Sequence, residues 1–294
     1  MTKLETLVRE EQQQMQADTL KAQAVEDYTK MIAFTEIGVM YYTTEPDGYK
    51  HYLDIQADNP MFSSMNIILI MTQTEEVSML RTMQDWAKNN RRVLDGEEGW
   101  IIRLEESHAN SGRRNAGFRT GRVFDINQTW GAPVVKDLPL VDHTPRMDIA
   151  LRQMLRMSPV PILTVADSSI DAKYDPHKKE IILSEDLVDT KAFAALAREI
   201  FHATTHAQNR MIEYNAGENV LDAESVSYML CRRYGIPCEY PEVYDISDFY
   251  TDMTVKDRSM IIDWMSKSFH SMERAIQKEL DPPSQSRINR GQSR

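Results

Sequence analysis

Long apolar runs are missing from this sequence, and that excludes a membrane-spanning helix. The longest, Met65-Asn66-Ile67-Ile68-Leu69-Ile70-Met71, is interrupted by Asn and falls far short of the ~20 residues a bilayer requires. Cysteine is scarce too: Cys231 and Cys238 are the only two, seven apart, and they fit no CxxC motif. A disulfide framework is thereby excluded, and both are expected as reduced, buried or half-buried thiols. The N-terminal stretch MTKLETLVREEQQQ is charged and Gln-rich and has no signal-peptide core, so the expected compartment is the cytoplasm. An excess of positive charge is also lacking. Lys and Arg number 34 against 45 Asp and Glu, a formal net charge of −11. Such a balance opposes non-specific attraction to nucleic acid or anionic lipid, so any nucleic-acid contact has to come from a local patch.

What is present is globular material, 41% hydrophobic and 27% charged over 294 residues, enough for two ordinary domains. Residues 4–35 read as helix with room for one break, and 64–72 and 76–88 as two more. Around Glu45-Pro46-Asp47-Gly48 the turn residues favour a hairpin, although Tyr52–Ile55 equally suits a helix. Asp95-Gly96 marks a turn ahead of a strand at Trp100–Leu104, and FRTGRVFDI leads into another. The proline-rich WGAPVVKDLPLVDHTP places a domain boundary near 140–147. Beyond it come a helix at 147–157, a strand at Ile162–Val165, a turn and strand in YDPHKKEIILSEDL, helices around 196–208 and 220–233, and a long helix over 254–280. The class is α+β in two parts, 1–145 and a mostly helical 146–281, followed by a tail, 282–294, expected to be disordered.

The stretch LAREIFHATTHAQ carries the chemistry. On a helix Arg198, His202 and His206 form one row, with Phe193, Leu196, Ala197, Ile200 and Phe201 on the opposite side. One face is built to pack and the other presents imidazoles. Glu224 follows in LDAESVSYML, 22 residues beyond His202. The layout is that of a zincin, in which two His one turn apart bind zinc, Glu199 polarises a water and an acid from a second helix is the third ligand. Arg198 stands where the first His belongs. A guanidinium has no lone pair for a metal, so the HExxH motif is degenerate and Glu199 is left as a vestigial general base. Arg198 is expected within hydrogen-bond reach of Glu224 or Glu199, because a buried carboxylate without metal needs a cation.

Three earlier stretches, QADNPMFSSMNIILIMTQ, WAKNNRRVLDGEEGWII and FRTGRVFDINQTWG, stand in the order of motifs found in ArdC-type antirestriction proteins. AREIFHATTH and DAESVSY then match the metallopeptidase-like half of that family, so the chain resembles it over residues 50–235. The resemblance implies a single-stranded DNA-binding first domain, a zincin-like second domain, and a mobile-element or phage setting that blunts host defence.

One departure concerns the DNA-binding half. Where the family has Lys-Gly-Glu-Lys-Gly, this chain has Asp95-Gly96-Glu97-Glu98-Gly99. The remaining candidates for nucleic-acid contact are Arg91, Arg92, Arg113, Arg114, Arg119 and Arg122, with Phe118 as a stacking surface. Trp86 and Trp130 read as core. Three functions follow. The first is a non-catalytic ArdC-like protein that binds single-stranded nucleic acid or a host defence protein, needing no cofactor. The second is a peptidase with zinc on His202, His206 and Glu224. The third is an acidic module that imitates DNA.

Overall fold

At Glu45-Pro46-Asp47-Gly48 the computed structural model corrects the expected hairpin. Pro46 occupies the first helical position, where an N–H has no intrahelical partner anyway, and opens α2, Pro46–Asp58. Tyr49, Tyr52, Leu53, Ile55 and Gln56 are buried along it, so helical spacing outweighs the turn signal. The structure describes residues 3–104, 119–134, 137–166, 169–208, 214–240 and 246–281. The expected disordered tail, 282–294, lies outside them, as do Arg113, Arg114 and Phe118.

Helix α1 runs over Lys3–Tyr42 without the break its sequence allowed. α3 covers Ser64–Met71, capped by Ser63, whose hydroxyl accepts from the Asn66 amide. The helix expected over 76–88 is corrected to a strand and a shorter helix. β1 is Leu80–Thr82 and α4 is Met83–Lys88, with Thr82 as N-cap accepting from the Asp85 amide. Then come β2 (Arg91–Val93), β3 (Trp100–Leu104), β4 (Arg119–Asp125) and β5 (Thr129–Gly131). β1, β4 and β3 form an antiparallel sheet in that order, and β2 pairs with β5.

In the second half the expected helices and strands are present, with β7 and α8 in addition. It contains α5 (Pro145–Met157), β6 (Ile162–Val165), β7 (Ala172–Asp175), β8 (Glu180–Ser184), α6 (Asp189–Gln208), α7 (Val220–Arg233), α8 (Ile246–Tyr250) and α9 (Val255–Leu280). β8 lies between β6, which is parallel to it, and β7, which is antiparallel. The class is mixed α and β with helix predominant. No helix among the described residues is long and apolar enough to cross a membrane.

Two side-chain amides, one on α3 and one in the turn that follows it, explain the first of the motifs singled out above. β3 is an edge strand among the described residues, with backbone groups of Ile101 and Arg103 facing outward. Asn66 donates to the Arg103 carbonyl and accepts from its N–H, both at 2.9 Å. Gln73, two turns on, donates to the Ile101 carbonyl at 3.0 Å and accepts from its N–H at 2.9 Å. A primary amide carries the donor and acceptor of a peptide unit, so the helix covers the edge as another strand would. This spacing of Asn and Gln fixes structure rather than contacting a ligand.

One buried cluster crosses the expected boundary at 145/146. Tyr49 of α2 shares a 2.9 Å hydrogen bond with Ser225 of α7, and Gln56 accepts from Ser266 of α9 at 3.2 Å. Arg258 of α9 donates to Thr43 at 2.9 Å. Each fully buried aromatic or aliphatic side chain here contributes about 1.5–3 kcal/mol, and neither half retains its share of that burial alone.

Asn66→Ala and Gln73→Ala each strip two hydrogen bonds from β3. Each is expected to cost about 1–3 kcal/mol, seen as a lower urea midpoint with unchanged slope. A midpoint that does not move would show that water replaces the amides.

Candidate functional site

Helix α6 buries Phe193, Leu196, Ala197, Ile200 and Phe201, as their spacing requires. Its other face does not present imidazoles to solvent. Strand β7 packs against it, and Glu199 and His202 are only 5% and 4% exposed. The reason is that the helix lies between a sheet and a helix, so it has two packing faces rather than one.

Glu199 is held from both sides. One oxygen accepts from the Tyr174 backbone N–H at 2.7 Å, the other from Arg198 Nε at 2.8 Å. Arg198 Nη1 reaches across to Glu224 of α7 at 3.3 Å, so one guanidinium bridges two carboxylates. Burial pushes the Glu199 carboxyl above its ordinary value, and Arg198 and the Tyr174 amide pull it back only in part. Burial opposes the charge on Arg198 as well, but Glu199 and Glu224 outweigh it and hold the guanidinium above its ordinary value. Arg198 therefore stays charged and the pair is a buried salt bridge.

The histidines turn to tyrosines. His202 Nδ1 shares a 2.6 Å hydrogen bond with the Tyr214 hydroxyl, and burial, followed by the charge of Arg198, pushes its imidazole down to about 4. His206 Nδ1 shares one of 2.7 Å with the Tyr174 hydroxyl. Its ring stacks on Tyr214 with centroids 5.0 Å apart and planes 14° apart. Tyr174 and Tyr214 were not anticipated. Tyr174 comes from a strand more than twenty residues upstream and Tyr214 from the connection between the helices. The only signal was indirect: a buried imidazole needs a hydrogen-bond partner.

These donors do not fit a zinc ion. Arg198 offers no lone pair, Glu199 has both oxygens engaged, and Glu224 faces the guanidinium. Among the described residues no group of three or more His, Cys, Asp or Glu is placed to hold a metal. His202, His206 and Glu224 are thus not gathered as the second of the three functions requires.

The arginines expected to meet nucleic acid separate into two kinds. Arg91 donates from Nε to Thr129 Oγ1 at 2.8 Å and from Nη1 to the Ala132 carbonyl at 2.7 Å, which ties β2 to β5. Arg122 donates to the Glu98 and Gly99 carbonyls at 2.6 and 3.1 Å, closing the turn ahead of β3. Both serve the fold. Arg119 begins β4. Arg92 is exposed, and its cross-strand partner in register is Trp130. Trp86 is core, with its indole N–H on the Phe124 carbonyl at 2.9 Å. Trp130 is not, being 74% exposed, because β2 and β5 form a two-stranded ribbon with nothing among the described residues packed on that face. Residues directly opposite on antiparallel strands share a face, so a free cation and an uncovered aromatic ring lie side by side.

No family model matches the chain, and no curated protein does. Among solved structures it is similar to the antirestriction protein ArdC from plasmid R388. The metal-free structure is 17% identical, with 74% of this chain and 84% of that one covered and a TM-score of 0.46. The Mn(II)-bound structure is 19% identical over 80% and 98%, again with a TM-score of 0.46. Both likenesses are partial.

The buried pair can be tested with a double-mutant cycle. Arg198→Met leaves Glu199 buried without its cation, for an expected cost of about 2–4 kcal/mol. Adding Glu199→Gln should recover most of that loss, since a neutral amide needs no countercharge. Additive losses in chemical denaturation would mean that the two side chains do not depend on each other.

Proposed function

We propose that the chain is a non-catalytic, ArdC-like binding protein in which the α6–α7 pair is a retired zincin site and the first half meets single-stranded nucleic acid. What carries this reading is the Arg198 guanidinium lying between Glu199 and Glu224. Metal-assisted peptide hydrolysis needs a lone-pair donor at position 198 and a Glu199 carboxylate free to polarise water. This chain has a cation at the first position and a fully hydrogen-bonded carboxylate at the second. The vestigial roles of Glu199, His202, His206 and Glu224 belong to the proposal, as do a division of labour between 1–145 and 146–281 and an anti-defence role in a mobile element or phage.

The nucleic-acid side rests on Trp130 and Arg92. An exposed indole gives a base a stacking platform, at about 1–3 kcal/mol per base, and the neighbouring guanidinium gives a phosphate its countercharge. With a net charge of −11, binding is weak and lost as salt rises, because affinity falls with the number of phosphates neutralised. A host defence protein is the other partner of this reading, favoured by Asp95, Glu97 and Glu98 beside the ribbon.

Fluorescence anisotropy with a labelled oligothymidine at two salt concentrations tests it. Trp130→Ala and Arg92→Glu should each weaken binding several-fold, and Arg113→Glu with Arg114→Glu should add to that without unfolding the chain. If wild-type protein shows no salt-sensitive binding, the nucleic-acid reading is wrong and the protein partner remains.

A further inference from the structure

The two cysteines have no part in the proposed function. α7 ends in a left-handed turn at Gly235, with φ +65°. The Ile236 N–H donates to the Cys231 carbonyl at 2.9 Å and the Gly235 N–H to the Arg232 carbonyl at 3.1 Å, the two bonds of a Schellman cap. Glycine takes that conformation freely, and a Cβ there would meet Pro139 Cβ at 2.9 Å. The cap folds the chain back along the end of the helix. Ile236 is buried, and Cys238 arrives with its Sγ 4.0 Å from the Tyr228 carbonyl oxygen. Tyr228 lies one turn before Cys231, so the Cys238 sulfur reaches the turn of α7 that carries Cys231. Cys231 is buried and Cys238 exposed.

We propose that Cys238 and Cys231 are a peroxide-reactive modification site, in which Cys238 is oxidised first and Cys231 resolves it to an intramolecular disulfide. Cys238 is the accessible sulfur of the two. The neighbouring Cys231 thiol holds the Cys238 thiol below its ordinary value against burial, and the Arg232 guanidinium adds to the effect. The same pairing, with burial, pushes Cys231 well up. The thiolate is the nucleophile, so Cys238 attacks one oxygen of hydrogen peroxide. An S–O bond forms, the O–O bond breaks, and hydroxide leaves and takes up a proton as water. Sulfur is oxidised by two electrons and the peroxide reduced. The Cys231 thiol then gives up its proton as its sulfur attacks the sulfenic sulfur of Cys238. The S–S bond forms, the S–O bond breaks and water departs. The net change is two thiols and one peroxide to one disulfide and two waters, reversed by a dithiol reductant. Closed, the bridge pins residues 236–238 to the last turns of α7.

Folded wild-type protein is treated with excess hydrogen peroxide, alkylated and weighed intact, with and without a dithiol reductant. The expected product has no alkylated thiol, has lost two hydrogen atoms, runs as an unlinked single chain and recovers both thiols on reduction. Cys231→Ser should leave Cys238 as a sulfenic acid that a dimedone-type probe captures, and Cys238→Ser should leave Cys231 unreacted. Three results would overturn the proposal: both thiols still alkylated in folded wild-type protein, Cys238 over-oxidised while Cys231 stays free, or a disulfide that links two chains.

Discussion

Glu199 enters the interior of the α6–α7 pair as a carboxylate, and an ion taken out of water there needs a countercharge and hydrogen bonds to both oxygens. The backbone of β7 and the side chain of Arg198 meet that need. The rest of the site follows from it. Strand β7 has to run close to α6 to bring the Tyr174 N–H to Glu199, and this also places the Tyr174 hydroxyl on His206. Arg198 has to lean along the helix, and in doing so reaches Glu224 on α7 and helps to keep His202 neutral. Asp222, also on α7, is the contrast. It is buried with one oxygen unpartnered, and burial pushes its carboxyl up to about 8. Without a cation a buried acid is kept neutral; with one it stays charged.

The first half is built on a similar exchange of partners. β3 would leave peptide groups open at a sheet edge, and α3 and the turn after it close them with two side-chain amides. Arg91 does for the β2–β5 ribbon what a longer ladder would do, donating to groups on both sides of it. Those commitments decide which polar residues are left to face outward. Arg92 and Trp130 remain because the ribbon is covered on only one face.

Much of this was legible in the sequence where the forces are local. α6, α7 and α9 follow from apolar spacing and capping residues, and β6 from a short β-branched run with Pro161 ahead of it. The ion pair of Arg198 was legible too, since a guanidinium one turn from His202 and beside Glu199 has few other places to go. What was not legible depends on distant partners. Pro46 and Gly48 look the same at a turn and at a helix start until the burial of Tyr49 and Tyr52 decides. β1 has three residues and exists only because β4 pairs with it. Trp130 has the residue type of a core position, and its exposure reflects the one face of the ribbon that the described residues leave uncovered. Tyr174 and Tyr214 come from segments whose approach to α6 no local pattern encodes.

If Arg198 has taken over the countercharge role of a metal, replacing it with histidine should restore a metal ligand at the right place on α6. Zinc titration by calorimetry of wild-type protein beside Arg198→His measures this directly. The variant should bind near one zinc per chain while the wild type binds none at the site. Stoichiometric zinc on the wild type would contradict the central claim, and a folded Arg198→His variant without zinc affinity would contradict the proposed zincin origin of the site.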